Sequence, residues 1–467
     1  MAQNIKSMTK NLLSIKSIKV EQLFGYFDYE IPDEDTKDIS KLLIIYGDNG
    51  SGKTTLLKIL FWLLSSRDKS GYKSKLASTK FKSISIKFEN DFEISAIRES
   101  KKLIGSFTYS VKSKGKEAKT VKLKASPDNS ITLKDDTEED KIFKQILKHI
   151  KALNISVFYL SDDRKILNSS ESSENESERR IIREPSDRIF MGSQQIFWDN
   201  DFVEERNLSL GPAIEKLLNW IRKRTILGSR TGEKNSQAIF TDLIKDITKT
   251  IESEKEVKTK AELNSEIQEI ETRIIPFVRL GLIDEFNGKT IKASINKLNP
   301  DQLKYLNNLI SPYLESIDAK LNALDKLQNI LNLFINSVND YFADKEIEFN
   351  LNTGFSISHK SGNPIDFDWL SSGERQLLLL FINTITATDE ATIFIIDEPE
   401  ISLNVKWQRK LIDTLLHFSS EKNIQYIFAT HSLELLSSNL NCVSKLKNLS
   451  KTKKSDENSQ SNSRRRN

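Results

Sequence analysis

The chain has 467 residues, a formal net charge of +4 and 29% charged residues. That length suffices for two or three domain-sized units, and so small a charge implies no global attraction to nucleic acid. Cys442 is the single cysteine, and no apolar run approaches the roughly eighteen residues that a membrane span needs. A cytoplasmic protein is therefore expected, with neither a membrane span nor secretion.

The first motif follows a strand-like segment. Residues 15–31 and 81–97 alternate apolar and polar side chains as strands do, and Leu42 to Tyr46 is a short apolar run. Next come Gly47-Asp48-Asn49-Gly50-Ser51-Gly52-Lys53-Thr54 and a helix-like stretch, residues 55–64. This is a phosphate-loop pattern in a strand–loop–helix context.

The residue types of this loop suit a nucleotide phosphate. Glycines allow backbone N–H groups to turn inward, and the helix N-terminus adds a favourable dipole. Lys53 is expected to reach the β- and γ-phosphates of ATP, and Thr54 to bind Mg²⁺. The predicted ATP-binding residues here are Asn49, Gly50, Ser51, Gly52, Lys53, Thr54 and Thr55.

The middle of the chain is predicted to be helical from residue 210 to residue 342. Within it, apolar residues recur every seven positions, namely Leu303, Ile310, Ile317, Leu324, Leu331 and Val338. A second series of positions in each repeat is also apolar, with Lys320 as the one exception. Pro312 is expected to start a helix. Stripes over 240–251 and 263–274 predict two helices that either pair as an antiparallel arm or pack in a compact helical domain.

Three further motifs follow in the last hundred residues. Leu370-Ser371-Ser372-Gly373-Glu374 precedes a helical run, and the apolar strand 391–396 delivers Asp397 and Glu398 to its carboxyl end. Open α/β sheets bind ligands at such ends. Asp397 is expected to serve Mg²⁺, and Glu398 to orient the attacking water. His431 ends a later strand, residues 424–430.

In this order the motifs resemble the ATP-binding-cassette ATPases, in the soluble AAA-family branch of SMC, RecF and OLD proteins. The resemblance implies an α/β fold: an ABC-type (P-loop) ATPase head with mixed sheets, interrupted by a helical, coiled-coil-like insertion. It implies ATP and Mg²⁺ as cofactors, with Thr54 and Asp397 as metal residues and Glu398 and His431 as catalytic residues. In that family the signature of one subunit closes over another subunit's ATP. The matching residues here are Ser371, Ser372, Gly373 and Glu374.

Two positions of the family pattern stay open. A lobe-junction glutamine is represented either by Gln194 or Gln195, or by the segment Ser161 to Arg164, which follows a strand but lacks glutamine. Asn404 stands where many relatives have histidine. The predicted divisions are 1–205 and 344–443 for the two halves of the head, 206–343 for the helical insertion, and 444–467 for a disordered basic tail.

Size, layout and the Ser-Ser-Gly-Glu and Asp-Glu-Pro-Glu forms resemble the ATPase subunits of bacterial anti-phage systems, first the AriA-like ATPases of PARIS and then the Septu ATPases (PtuA). This resemblance implies a homo-oligomer, either an ATP-sandwich dimer or a ring of such dimers. The partners would be a Toprim-type, AriB-like nuclease effector and a phage-encoded trigger protein. No Toprim domain is expected after the tail, so nuclease activity would come from the partner.

The alternatives are a DNA-repair or chromosome-maintenance ATPase that binds DNA directly, as RecF and SMC relatives do, and a transporter subunit. The long helical insertion disfavours the transporter.

Overall fold

The computed structural model describes residues 13–67, 71–99, 101–162, 166–169, 210–248, 258–387, 392–420, 422–437 and 439–449. By its contacts the chain divides into two compact units. The first comprises Met1–Leu208 with Ala387–Asn467, and the second comprises Ser209–Thr386. The glutamines 194 and 195 and the part of the predicted tail beyond residue 449 lie outside the described residues.

The described strands are numbered in chain order. They are β1 (Ile15–Leu23), β2 (Phe27–Ile31), β3 (Leu42–Tyr46), β4 (Ser83–Phe88), β5 (Glu93–Ile97), β6 (Phe107–Lys112), β7 (Lys119–Leu123), β8 (Val157–Leu160), β9 (Ile166–Asn168), β10 (Lys345–Asn350), β11 (Gly354–His359), β12 (Pro364–Ile365), β13 (Ile393–Asp397), β14 (Gln425–Thr430) and β15 (Val443–Lys445).

The described α-helices are likewise numbered in chain order. They are α1 (Lys53–Leu64), α2 (Tyr72–Ser78), α3 (Glu138–Ala152), α4 (Leu210–Thr248), α5 (Lys260–Arg279), α6 (Gly288–Asn296), α7 (Pro300–Tyr341), α8 (Ser372–Ala387), α9 (Val405–Phe418) and α10 (Leu433–Leu436). None of the helices in the described ranges is both long and apolar enough to cross a membrane.

The first unit contains a mostly parallel sheet of order β15-β3-β14-β13-β8-β9. Strands β13 and β14 are buried along their whole length, as near-continuous apolar runs in a covered parallel sheet should be. Because β3, β14, β13 and β8 run parallel, their carboxyl ends meet at one edge. The segments that follow those four strands therefore lie close together.

A second, antiparallel sheet of order β2-β1-β4-β5-β6-β7 completes this unit. Helix α1 contacts β8, β13 and β14 of the parallel sheet and β5 of the antiparallel one. Its side chains are buried on several faces, from Leu56 to Leu64, and join one hydrophobic core with both sheets. The phosphate-loop helix is thus held on two sides.

The second unit is built on two long helices, α4 and α7, which pack against each other. Helix α7 begins at Pro300, where Asn299 and Gln302 form a reciprocal capping box. The sequence interpretation of Pro312 was therefore wrong, because Pro312 lies inside α7. Pro300 occupies the first turn, where the missing N–H costs nothing.

Helices α5 and α6 of this unit pack on the first half of α7. Buried side chains of α5, α6 and α7 form one cluster, namely Leu263, Ile267, Ile270, Ile295, Ile310 and Leu314. The stripe 263–274 therefore packs against α6 and α7, while α4 packs along α7. Strands β10, β11 and β12 form a small antiparallel sheet. The predicted fold class, an α/β P-loop ATPase head with a helical insertion, is confirmed.

Candidate functional site

The phosphate loop lies between β3 and α1, as its sequence predicted. Gly50 and Gly52 have φ angles of 80° and 85°, in the left-handed region that glycine adopts without cost. No side chain caps the N-terminus of α1, and the first helical hydrogen bond runs from the Leu56 N–H to the Gly52 carbonyl. The N–H groups of Lys53, Thr54 and Thr55, in the first turn of α1, are therefore available to bind an anion.

Lys53 is buried and directed along this loop. Its Nζ donates to the carbonyls of Gly47 at 2.8 Å and Asp48 at 3.3 Å. It also lies 3.5 Å from Oε1 of Glu398, whose side chain is only 13% exposed. The phosphate-loop cation and the predicted catalytic carboxylate therefore form an ion pair, although they are 345 positions apart in the sequence.

Asp397 ends β13 and is fully buried. Tyr159 donates its hydroxyl to Asp397 Oδ2 at 3.3 Å, and the Thr54 side chain also hydrogen-bonds to this carboxylate. Burial raises the pKa of Asp397 to about 6, and the Asp162 carboxylate adds to the rise. Thr54 and Asp397 thus meet as a Mg²⁺ site requires, since Mg²⁺ takes oxygen ligands such as hydroxyl and carboxylate.

Glu398 takes a left-handed backbone conformation, with φ at 44°. Such strain in a non-glycine residue often marks a functional position. Its Oε2 lies 2.6 Å from Nδ1 of His431, at the end of the neighbouring strand β14. Lys53, Glu398 and His431 therefore form a continuous chain of polar contacts across three adjacent strand ends.

The sequence analysis assigned no role to Glu400, yet this residue lies next to the polar contacts of Glu398 and His431. Its Oε1 accepts hydrogen bonds from the Thr430 hydroxyl and from the N–H groups of His431 and Ser432. Burial, together with the neighbouring Glu398 carboxylate, raises the pKa of Glu400 to about 6. A second acidic residue two positions after Glu398 was the available sequence signal.

Other residues of the motifs have clear positions. Asn49 and Gly50 are exposed, and Ser51, Gly52, Thr54 and Thr55 are partly exposed at the loop. Asn404 caps α9, because its side chain accepts from the Trp407 N–H at 2.9 Å. The segment after β8 brings Asp162 near Asp397, while Gln194 and Gln195 fall outside the described part of the chain.

The signature residues belong to the second unit and form their own cluster. Ser371 and Ser372 are exposed at the start of α8, whereas Gly373 and Glu374 are buried. Glu374 Oε2 accepts from both the N–H and the hydroxyl of Ser371 at 2.8 Å. Its Oε1 lies 3.0 Å from the Lys345 ammonium. The Glu374 carboxylate therefore holds the signature turn together.

The fold and these residues define a P-loop ATPase. Residues 42–437 match the family model described as "AAA domain, putative AbiEii toxin, Type IV TA system". Because that match spans most of the chain, the protein belongs to this AAA family. No curated protein matches the chain.

Several solved structures of Smc head domains are similar to the chain. One, from Pyrococcus furiosus with an extended coiled coil and bound to the C-terminal domain of ScpA, is 11% identical, covers 96% of this chain and 99% of its own, and has a TM-score of 0.35. Another, bound to the C-winged helix domain of ScpA, is 10% identical over 91% of each chain, with a TM-score of 0.34. A Pyrococcus yayanosii head with coiled coil and joint is 12% identical over 91% of this chain and 93% of that one, with a TM-score of 0.33. Scores this low support no conclusion about this chain.

Proposed function

We propose that the protein binds ATP and Mg²⁺ at the common edge of β3, β13 and β14 and hydrolyses the γ-phosphate. The observation that carries this proposal is the contact chain from Lys53 through Glu398 to His431. It brings together the phosphate-loop cation, a partly buried carboxylate and a histidine at adjoining strand ends. Phosphoryl transfer needs mainly such positioning and charge stabilisation from a protein.

Each residue has a distinct task in this proposal. The loop N–H groups and Lys53 hold the phosphates, and Thr54 with Asp397 would hold Mg²⁺, which neutralises phosphate charge when bound. Glu398 orients the attacking water and accepts its proton, and His431 on its other side keeps the carboxylate in place. Membership of an AAA family supports nucleotide use, and typically Mg²⁺ use, at this site.

The signature suggests an ATP-dependent homodimer, or a ring of such dimers. Ser371 and Ser372 are exposed at the beginning of α8, where helical N–H groups lack partners along the helix. A second subunit's ATP would meet these residues, as it does in the ABC-type ATPases that the motif resembles. Glu374 supports this contact indirectly, through its hydrogen bonds to Ser371.

At the level of the cell, we propose that the dimer is the sensor and scaffold of an anti-phage complex. It would hold a Toprim-type, AriB-like nuclease and release it when a phage protein is sensed. The AriA-like ATPases of PARIS are the preferred relatives, with Septu second. The family description, which is that of a putative AbiEii toxin of a type IV toxin–antitoxin system, supports a place in a system of paired components.

The enzymatic part is tested by phosphate release from ATP with Mg²⁺ and with excess chelator. Turnover that needs the metal is expected; a purified, folded chain without Mg²⁺-dependent turnover would refute it. The scaffold part is tested by co-purification with the product of a neighbouring nuclease gene. Sub-micromolar duplex DNA binding that requires ATP and falls steeply with salt would instead support a repair ATPase.

A further inference from the structure

Glu400 is buried and makes an unusual set of contacts for an acidic side chain. Only 5% of it is exposed, and a single oxygen, Oε1, accepts from the Thr430 hydroxyl, from the His431 N–H at 3.2 Å and from the Ser432 N–H at 3.2 Å. Three consecutive residues, the last of β14 and the two that follow it, are thus bound to one carboxylate. Hydrogen bonds to an ionised acceptor are roughly twice as strong as neutral ones.

The chain reaches this position through a tight turn. Glu398 adopts the left-handed conformation, and the N–H of Ile401 donates to the Glu398 carbonyl at 3.2 Å. The N–H of Leu403 then donates to the Glu400 carbonyl at 2.9 Å. The same turn therefore aims Glu398 at Lys53 and Glu400 at the segment that carries His431.

Potential metal-ligand atoms of Glu398, Glu400 and His431 all lie within 4.8 Å of one another. However, Oε1 of Glu400 already accepts three hydrogen bonds, and Oε2 of Glu398 is 2.6 Å from His431. These oxygens are engaged with protein donors. Hydrogen bonding accounts for the cluster without an ion.

Glu400 does not touch the phosphate loop. Within the described ranges, no hydrogen bond or ion pair joins its side chain to residues 47–54. It is linked to the reacting centre through His431, whose Nδ1 lies 3.5 Å from Glu400 Oε1 and 2.6 Å from Glu398 Oε2, and through the neighbouring Glu398 carboxylate itself. A second anchor, from the Ser432 hydroxyl to Gln408 at 2.7 Å, fixes the far side of the segment.

We propose that Glu400 is a positioning residue of the hydrolysis site, whose carboxylate holds residues 430–432 so that His431 stays against Glu398. This inference rests on the proposed ATPase function. It predicts that Glu400 acts on the rate of hydrolysis and not on ATP binding, because its contacts lie on the catalytic side of Glu398. It also predicts that its effect passes through His431.

The test compares the full-length variants Glu400→Ala and Glu400→Gln with the parent. Glu400→Ala should lower kcat about a hundredfold, the cost of a small misplacement of a catalytic group, while KM for ATP and the affinity for a fluorescent ATP analogue stay unchanged. Glu400→Gln should lose less, because an amide oxygen can accept from the same donors. Glu434→Ala is the matched control, since Glu434 is an exposed carboxylate of α10 paired with Arg409.

A double-mutant cycle with His431→Ala separates positioning from a general structural role. If Glu400 acts through His431, adding Glu400→Ala to His431→Ala should cause no further loss of kcat. Losses that multiply, an unchanged kcat in Glu400→Ala, a rise in KM alone, or an equal loss in the Gln variant would each overturn the proposal. If thermal melting shows that Glu400→Ala is not folded, the double-mutant cycle is measured with Glu400→Gln instead.

ATP hydrolysis by the parent protein separates a failure of the proposed function from a failure of the role given to Glu400. If the parent does not hydrolyse ATP, the proposed function fails and this inference falls with it. If the parent hydrolyses ATP and the cycle is additive, only the role of Glu400 is wrong.

Discussion

Gly232 of α4 lies directly against the backbone of Lys320 in α7. A Cβ atom built on Gly232 would stand 3.0 Å from the Lys320 Cα, tighter than most real Cβ contacts. One helical turn earlier, a Cβ on Gly228 would overlap a methyl group of Leu324. The two glycines therefore let the long helices approach closely, and Gly232 does so opposite Lys320, the one non-apolar partner position of the repeat.

Gly232→Leu should destabilise the second unit. The added side chain must displace the α7 backbone, and overpacking of this kind costs about 1–3 kcal/mol. Glu233→Leu is the control for the added side chain, because it places a leucine on an exposed neighbouring position with little change of helix propensity. Replacing glycine by leucine gains about 0.8 kcal/mol of helix propensity, so any net loss in Gly232→Leu comes from the overpacking. Urea unfolding of both variants would measure the difference. Equal midpoints for the two would show that the close approach is not needed.

This contact also shows how far the sequence could predict the helical unit. The seven-residue repeat from Leu303 to Val338 predicted a long helix, because burial of one face imposes that period. It left Lys320 unexplained, because the matching glycine lies almost ninety positions away and no local pattern links the two. The prediction for Pro312 was wrong for a related reason. Proline favours the first turn of a helix, but tertiary packing along α7 keeps Pro312 inside the helix.

The site was more predictable than the helices. Ends of parallel strands share one edge, so the loops at Gly47, Asp397 and His431 could be expected to meet. The role of Glu400 could not be predicted, because it depends on the turn set by the left-handed Glu398. The ion pair between Glu374 and Lys345 could not be predicted either, because the two residues are separated in the sequence and no sequence pattern pairs them.

Lys53→Ala should weaken ATP binding. It removes the cation that opposes the phosphate charge, and hydrogen bonds to charged groups contribute about 1.5–3 kcal/mol, which corresponds to about a ten- to hundredfold loss of affinity. Titration with a fluorescent ATP analogue would measure it. Lys19→Ala, which removes an exposed lysine paired with Glu30, should bind normally. Parental affinity in Lys53→Ala would contradict the assignment of this loop.

Glu398→Gln should bind ATP yet hydrolyse it about 10² to 10⁴ times more slowly, because the attacking water loses its base. ATP-dependent association should then be long-lived, since the nucleotide that holds the subunits together is not consumed. Phosphate release and light scattering with and without ATP would show both effects. Hydrolysis at the parental rate would mean that another group orients the water.

Ser371→Arg should prevent that association without preventing ATP binding. The residue is exposed at the beginning of α8, so a long cationic side chain there obstructs a second subunit. The sequence of the phosphate loop in the same chain is unchanged. The effect is clearest in the Glu398→Gln background, where the parent complex persists. A double variant that still associates on addition of ATP would argue against a dimer closed by the signature.

The pH dependence of stability should reveal the buried carboxylate at the metal site. The pKa of Asp397 rises from 3.8 in the unfolded chain to about 6 in the folded one, chiefly through burial. The stabilisation from its protonated form is therefore complete below about pH 4 and is lost as the pH rises through about 6. At pH 8 the folded protein bears the cost of a buried charge.

Asp397→Asn removes that charge while keeping a side chain of similar shape. In nucleotide-free protein with chelator, it should raise the free energy of unfolding at pH 8 by about 1–3 kcal/mol, given about 1.4 kcal/mol for each pKa unit. The gain should shrink as the pH falls towards 5, where Asp397 itself becomes protonated. Denaturant unfolding at several pH values would measure this trend. A stabilisation that stayed constant with pH, or a variant less stable at pH 8, would show that the Asp397 carboxylate is not held at such a cost.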